Sequence, residues 1–401
     1  MTTIPKASVP PMHVLYATAL LICLAFIFVV TTPARPSFKW LDLQHVGLQN
    51  GKLHLQGAAS ECYSSRLSGE STTAVELYIS AILDRNDKSF ERLTCPPTSP
   101  GRYDRLRRHP AAHSAQKERT KKHYFFALNL YQCAPILPRL LGSIIEAFRV
   151  LDPETCVLSV VGSRSDDSTT EILTRLRPHL KATVVTYYFG TSPINLLEPG
   201  HDRITELASL RNLTLGPLIH QPAHYVADNT IVVFLNDVAI CPDDILELFY
   251  QYTLRCADLV CAMDWKDDGQ VFYDSWVSRG KNGDLVVEMP QPGAWDFVRN
   301  TFWNDPASKA GLDAKLPIQV YACWNGATIF TAKPLLEHKD PLSTCGSHGY
   351  GCTAVIPSVN LADSDEQGRV VKEVQVYTVD SVNVNVVVDV DDSNIEESER
   401  D

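Results

Sequence analysis

The stretch Thr230-Ile-Val-Val-Phe-Leu-Asn-Asp237, running directly into Val238-Ala-Ile-Cys-Pro-Asp-Asp-Ile245, decides how this chain is read. A short run of β-branched and aromatic residues closed by an Asn-Asp turn signal predicts a buried strand. The strand delivers Asn236 and Asp237 to a sheet edge. A carboxylate placed there can hold a divalent cation that is itself bound to a diphosphate, because hard cations take oxygen ligands. An ordinary core strand ending in a turn is the alternative for this segment taken alone. Ala239 stands where a second Asp would complete an Asp-x-Asp pair, so Asp237 is the metal candidate, with the Asn236 amide oxygen in support. Asp243 and Asp244 follow Pro242 and read as first-turn charges, favoured by the dipole of a helix over Asp243–Leu254.

Upstream, apolar runs alternate with amphipathic stretches. Tyr124-Phe-Phe-Ala-Leu-Asn-Leu130 reads as a strand, followed by a helix over Ile136–Val150 with Leu140, Leu141, Ile144, Ile145 and Phe148 on its apolar face. Cys156-Val-Leu-Ser-Val-Val161 is the next strand, with a helix starting at Thr169. Val184-Val-Thr-Tyr-Tyr188 is a third, with a helix over Arg203–Leu215 after it. Strand-helix units in this order predict an α/β, Rossmann-like domain with a parallel sheet, whose ligands bind at the carboxyl ends of the strands.

Those ends carry polar chemistry. The loop Gly162-Ser-Arg-Ser-Asp-Asp-Ser-Thr169 puts two carboxylates just ahead of a helix. Asp167 or Ser168 can cap that helix, with Glu171 behind it, or a carboxylate here can accept from a ribose or base. Downstream, Cys261-Ala-Met-Asp-Trp265, Phe272-Tyr-Asp-Ser-Trp-Val-Ser-Arg279 and Cys323-Trp-Asn-Gly326 set carboxylates beside indoles, as where a sugar ring stacks on an aromatic face. Asp264 and Asp274 are the catalytic candidates. Core packing is the alternative for each Trp. Asn212-Leu-Thr214 is a glycosylation sequon within a predicted packed helix.

The chain has 401 residues, 45% hydrophobic and 21% charged, enough for one large globular domain with accessory segments. A formal net charge of -11 argues against nucleic acid as a partner. Val14–Val30 carries no charge, and with its flanks reaches about 20 residues, the length of a bilayer-spanning helix. A cleaved signal peptide is the rival, with an h-region longer than usual. Lys6 on one side and Arg35 and Lys39 on the other leave orientation unassigned by charge. The resulting organisation is a tail over 1–12, a signal-anchor over 13–32, a stem over 33–118, a catalytic domain over 119–362 and an acidic tail over 363–401. The 11 cysteines form no CxxC pairs, which disfavours structural zinc. Cys345 and Cys352 are a local disulfide candidate, with two free thiols the alternative.

Taken together, Val157–Thr169, Ile204-Thr-Glu-Leu-Ala-Ser-Leu-Arg-Asn212, Val233–Leu248, Ala262-Met-Asp-Trp265, Phe272–Arg279 and Cys323-Trp-Asn-Gly326 resemble the fungal cryptococcal alpha-1,3-mannosyltransferase and capsule-associated protein family, glycosyltransferase family 69, over Tyr124–Asp365. The resemblance implies a type II Golgi membrane protein whose lumenal, GT-A-type domain uses GDP-mannose and a divalent metal, manganese or magnesium, on an oligosaccharide or polysaccharide acceptor. It places Asn129, Ser163, Ser165, Asp167, Arg211, Asn212 and Asn236 on the donor side, Trp265, Trp276, Arg279 and Trp324 on the acceptor side, and the metal on Asp237. Arg211 and Asn212 are expected at the end of their helix. Two departures stand out: Gly162 where relatives carry Glu, and a segment over Ser343–Thr353 shorter than the relatives' Glu-Cys region. A catalytically silent relative that binds glycan or a partner glycosyltransferase is the alternative function.

Overall fold

The computed structural model describes residues 71–97, 101–107, 121–194, 196, 202–226, 229–267, 269–288, 300–337 and 353–373. The expected membrane anchor, the Cys345–Cys352 pair, the shortened segment before Thr353 and the far acidic tail lie outside them. Among the described residues no helix is long and apolar enough to cross a membrane.

The strands are β1 (Tyr124–Leu130), β2 (Cys156–Gly162), β3 (Thr186–Thr191), β4 (Ile231–Leu235), β5 (Leu259–Lys266), β6 (Val271–Phe272), β7 (Arg279–Gly280), β8 (Ile318–Ala322), β9 (Ala327–Thr331) and β10 (Thr353–Ala362). They form one mixed sheet in the order β3-β2-β1-β4-β9-β5-β10-β8-β7, with β6 beside β5. The helices are α1 (Ser71–Leu83), α2 (Leu137–Leu151), α3 (Thr169–Ala182), α4 (Arg203–His220), α5 (Pro242–Leu254), α6 (Pro306–Asp313), α7 (Lys333–Glu337) and α8 (Asp365–Glu373).

Strands β1 to β4 pair in parallel, as the strand-helix alternation predicts. Their period-2 alternation sorts side chains between two cores. Phe126, Leu128, Val233 and Leu235 join the cluster under α2 and α5, while Phe125, Ala127, Val232 and Phe234 join the one under α4. The predicted apolar face of α2 is wholly buried, and Phe148 meets Phe126 edge-to-face at 4.8 Å. One unforeseen element, β9, matters for the site. It runs antiparallel between β4 and β5, so the Trp-Asn-Gly segment that precedes it lies at the same sheet edge as Asp237.

Packing extends beyond residues 119–362 on both sides. Part of the stretch read as stem belongs to the folded body: α1 packs on α2, Leu93, Tyr103 and Leu106 are buried, and Cys95 is disulfide-bonded to Cys241 at the start of α5. The Arg102 guanidinium donates to both carboxyl oxygens of buried Glu247, at 2.8 and 2.9 Å, which compensates a charge otherwise costly to bury. At the other end the fold continues past Ala362 through α8, whose Lys372 bonds Asp244 and the Asn360 carbonyl. Polar spacing within both segments hides these long-range contacts from local pattern reading.

Candidate active site

Four carboxyls gather at the carboxyl edge of the sheet. Asp237 leaves β4, Asp264 lies near the end of β5, Asp274 sits in the short 3-10 turn Tyr273–Trp276 after β6, and Asp363 follows β10. An isolated bridge, with the Ala239 amide donating to the Ala362 carbonyl at 2.8 Å, joins the exit of β4 to the end of β10. Asp264 and Asp274 are buried, at 1% and 6% exposure, and hydrogen-bond to each other. One oxygen of each, Asp264 Oδ1 and Asp274 Oδ2, is buried without a hydrogen-bond partner. Asp237 and Asp363 are exposed. The cluster therefore has a buried floor and an open rim.

Its protonation follows from that shape. Burial, then repulsion from Asp274 and Asp363, pushes the Asp264 carboxyl well above the usual range. Burial pushes Asp274 up to about 7, opposed by the bond from Asp264 and by the Arg211 guanidinium. Asp363 is pushed up to about 6 by partial desolvation of its carboxyl and then by repulsion from Asp237. Asp237 is also raised by desolvation. Because Asp237 and Asp363 keep solvent-facing surface, water and ions screen their shifts, whereas Asp264 has no such relief. All four shifts are upward. Their contribution to stability is therefore complete below the unfolded carboxyl value and is lost as pH rises through about 6 for Asp363 and about 7 for Asp274.

The Trp-Asn-Gly segment locks the pair in place. Asn325 is buried, donates to the Ala262 carbonyl at 2.7 Å and accepts from Ser278 Oγ at 2.8 Å. Gly326 donates its amide to Asp274, and its carbonyl accepts from the Asn236 amide at 2.8 Å. A Cβ on Gly326 would stand 2.8 Å from Asp264 Oδ2 and 3.0 Å from Val238 Cγ1, so only glycine allows this approach. The Cys261–Cys323 disulfide ties β5 to the same segment. Gly326→Ala is expected to cost about 1–3 kcal/mol, as overpacking does, and to displace Asp264. Chemical denaturation together with a turnover assay checks this.

Arg211 supplies the counter-charge. Its guanidinium lies 4.9 Å from the Trp324 ring centre and 5.9 Å from that of Phe234. Burial lowers its pKa to about 10, against attraction from Asp274, which leaves it cationic at neutral pH. The helix end expected beside it is displaced: α4 continues through Pro217 to His220, so Arg211 and half-buried Asn212 are mid-helix.

On the donor side, the loops after β1 and β2 are knitted together. Asp167 accepts from the Ala134 amide and the Thr169 amide, each at 3.0 Å, and Ser165 Oγ accepts from the Gln132 amide at 3.0 Å. Asp167, rather than Ser168, thus serves the start of α3, and both its oxygens hold backbone; its neighbour Asp166 is exposed. Buried Ser163 closes onto the Leu130 carbonyl at 3.0 Å. Asn129 accepts from the Thr214 hydroxyl of α4. Buried Cys133 donates its thiol to Asp237 Oδ2 at 3.7 Å.

Of the acceptor-side candidates, Trp276 is 41% exposed, and its carbonyl accepts from Arg279 at 2.9 Å. Trp265 is half-buried, donating its indole N–H to Asn360 at 2.7 Å and packing on Phe272. Trp324 packs between Phe234 and Phe330. These two indoles are structural in their contacts; Trp276 presents surface beside the carboxyl pair. Sequence reasoning missed Asp363, although Leu361-Ala-Asp363 repeats the signal of Leu235-Asn-Asp237, an apolar strand closing on a carboxylate. A cavity of about 390 Å³ lined by Lys122, Thr186, Tyr188, His224 and Tyr225 lies at the amino ends of the strands, away from this chemistry.

Among the described residues no three or more His, Cys, Asp or Glu side chains converge at metal-ligand spacing. A hard cation carried by a diphosphate needs only one or two carboxylates, because phosphate oxygens and water complete its shell. The open rim of Asp237, over two unpartnered buried oxygens, fits such a cation.

In an α/β sheet ligands bind where the parallel strands end, which is where these carboxylates gather. Residues 123–356 match the family model described as Cryptococcal mannosyltransferase 1, and the chain belongs to that family. It is 30% identical over 324 residues to alpha-1,3-mannosyltransferase CMT1 of Cryptococcus neoformans, spanning 72% of this chain and 68% of that protein. Among solved structures, mannosyltransferase PcManGT from Pyrobaculum calidifontis in complex with GDP-Man and Mn2+ overlaps at a TM-score of 0.33 and 12% identity, covering 66% of this chain and 62% of that one. GalNAc-T7 with UDP, GalNAc and Mn2+ overlaps at 0.32 and 9%, covering 60% and 44%. The chain spans less than two thirds of either solved chain, and both overlaps are loose.

Proposed function

We propose that this protein is a metal-dependent glycosyltransferase of the GT-A type that moves mannose from GDP-mannose to a glycan hydroxyl, forming an alpha-1,3 linkage. We place its catalytic domain in the Golgi lumen, behind a single membrane anchor. The observation that carries the reading is the buried Asp264–Asp274 pair, backed by Arg211 and opening toward Asp237 at the strand ends. Family membership supports the reaction class, and the name of the relative at 30% identity supports the linkage.

Each residue has a distinct task. Asp237, with Asn236 beside it, would hold the divalent cation, manganese or magnesium, whose chemistry is to neutralise the departing diphosphate. Arg211 keeps a fixed positive charge in a poorly solvated place, where it favours anion at Asp274 and at a donor phosphate. Asp264, protonated at neutral pH, donates to Asp274, so the pair carries a single negative charge. That charge accepts the proton of the acceptor hydroxyl as it attacks. Trp276 offers an exposed face on which a sugar ring can stack. An alpha product from an alpha donor retains configuration, so the hydroxyl must approach from the face that the diphosphate leaves, its proton passing to the pair while the bond from the anomeric carbon to the diphosphate oxygen breaks and GDP departs.

The test is release of GDP from GDP-mannose by the full chain in detergent, with and without manganese, over a panel of mannosides. Acceptor-stimulated, metal-dependent release is the expected result. Donor binding with no release would replace this reading by that of a silent relative. Asp237→Ala is expected to weaken manganese-supported GDP binding by roughly tenfold or more, measured by calorimetry; unchanged affinity would remove the metal assignment.

A further inference from the structure

We propose that Asp363 is the second carboxylate of the cation-diphosphate site, facing Asp237 across the seam between the exit of β4 and the end of β10. The inference rests on the donor-site reading above and extends it to a residue outside the 123–356 match.

Backbone geometry brings the two together. In the antiparallel bridge of Ala239 with Ala362, Val238 and Asp363 are one step along each chain, and Asp237 is the next residue. The segment that carries Asp363 is fastened to the same helix start as the Asp237 loop. Lys372 bonds Asp244 in the first turn of α5, and Asp365 accepts from the Leu93 amide at 2.9 Å. Gly368 lets α8 press on the loop itself, since a Cβ there would stand 3.2 Å from the Ala239 Cβ.

A structural task for Asp363 is already taken by its neighbour. Ser364, not Asp363, serves the start of α8, accepting from the Gln367 amide at 3.3 Å and the Gly368 amide at 2.8 Å. The Asp363 carboxyl instead lies close enough to the cluster to be felt there. It acts on Asp264 and on Asp274, and Asp237 is the foremost charge acting on it.

Four carboxyls held this closely repel one another, and the cations acting on them are Lys266 beside Asp363 and Arg211 beside Asp274. Beneath the rim, Asp264 Oδ1 and Asp274 Oδ2 are buried and unpartnered. A divalent cation seated between the two exposed carboxylates relieves this repulsion. Its remaining positions then fall to diphosphate oxygens and water, the ligand set such ions prefer.

Calorimetric titration of manganese into the full chain at saturating GDP tests the assignment, with wild type, Asp237→Asn and Asp363→Asn compared. Asp363→Asn is expected to weaken manganese by roughly tenfold to a hundredfold, with metal-free GDP affinity and melting temperature unchanged. Asp363→Ser is the second variant, with the same expectation, should the first melt early. Wild-type manganese affinity in the Asp363 variants, alongside loss in Asp237→Asn, would overturn the assignment while leaving the donor reading intact. Absence of GDP-dependent manganese binding in the wild type would overturn both.

Discussion

Asp274→Asn is expected to lower turnover by roughly a hundredfold to ten-thousandfold, the range for loss of a positioned proton acceptor, while leaving manganese-supported GDP binding in place. The reason is the division of labour in the pair. Burial and neighbouring carboxylates push Asp264 well above the usual carboxyl range, while Asp274, near 7 and attracted by Arg211, is the proposed seat of the negative charge. An amide preserves the shape and still accepts from the Gly326 amide, but it carries no charge and takes no proton. Wild-type turnover should accordingly rise with pH through about 7, as the pair gives up the first of its two protons and gains its single negative charge. The variant should show no such step. A stopped assay of GDP release across pH 5.5 to 8.5, paired with calorimetry for GDP and manganese, separates this from misfolding. Wild-type turnover in the variant would take the pair out of the mechanism.

Removing the Cys95–Cys241 disulfide by a Cys95→Ser, Cys241→Ser double substitution is expected to cost roughly 2–5 kcal/mol, because the bridge closes a long loop in the unfolded chain. The sequence separation is 146 residues. Cys241 caps α5 immediately after the Asp237 loop, and both cysteines neighbour buried polar anchors: Leu93 against Asp365, and Asp244 against Lys372. The loss should therefore appear in equilibrium denaturation and also as weaker manganese-supported GDP binding, since the loop that carries Asp237 is freed on one side. Unaltered denaturation midpoints would show that the Cys95–Cys241 bridge adds nothing to the stability of the domain.

Much of the architecture was legible because it is written in local periodicity. Tyr124–Leu130 and Cys156–Val161 are apolar on both faces, as strands covered by helices must be, and the α2 positions recur at helical spacing. β9 was not legible. Ala327-Thr-Ile-Phe-Thr331 is short, and nothing local announces that it inserts antiparallel between β4 and β5, a pairing decided by which edge remains open once those strands have formed.

The candidate site divides along the same line. Asp237, Asp264 and Asp274 stand out as candidates in the sequence because each closes an apolar run or stands beside indoles, residue types that constrain chemistry wherever they fall. Asp167 shows the limit of that reasoning: a carboxylate before a helix serves equally as cap or ligand, and only its two backbone donors identify the cap. Trp265 and Trp324 are similar, their indoles committed by Asn360, Phe234 and Phe330 from distant segments.

By itself, then, the sequence determined the α/β class, the succession of strands and helices along the chain and the residues bearing charge at the strand ends, since these depend on neighbours within a few positions. Only the tertiary structure decided that Asp264 and Asp274 share a buried site, that Gly326 must lack a side chain beside them, and that the end of β10, just before Asp363, bridges the exit of β4 just after Asp237. Those facts depend on contacts between residues far apart in the chain, where the free energy comes from burial and charge in three dimensions and leaves no local periodicity to read.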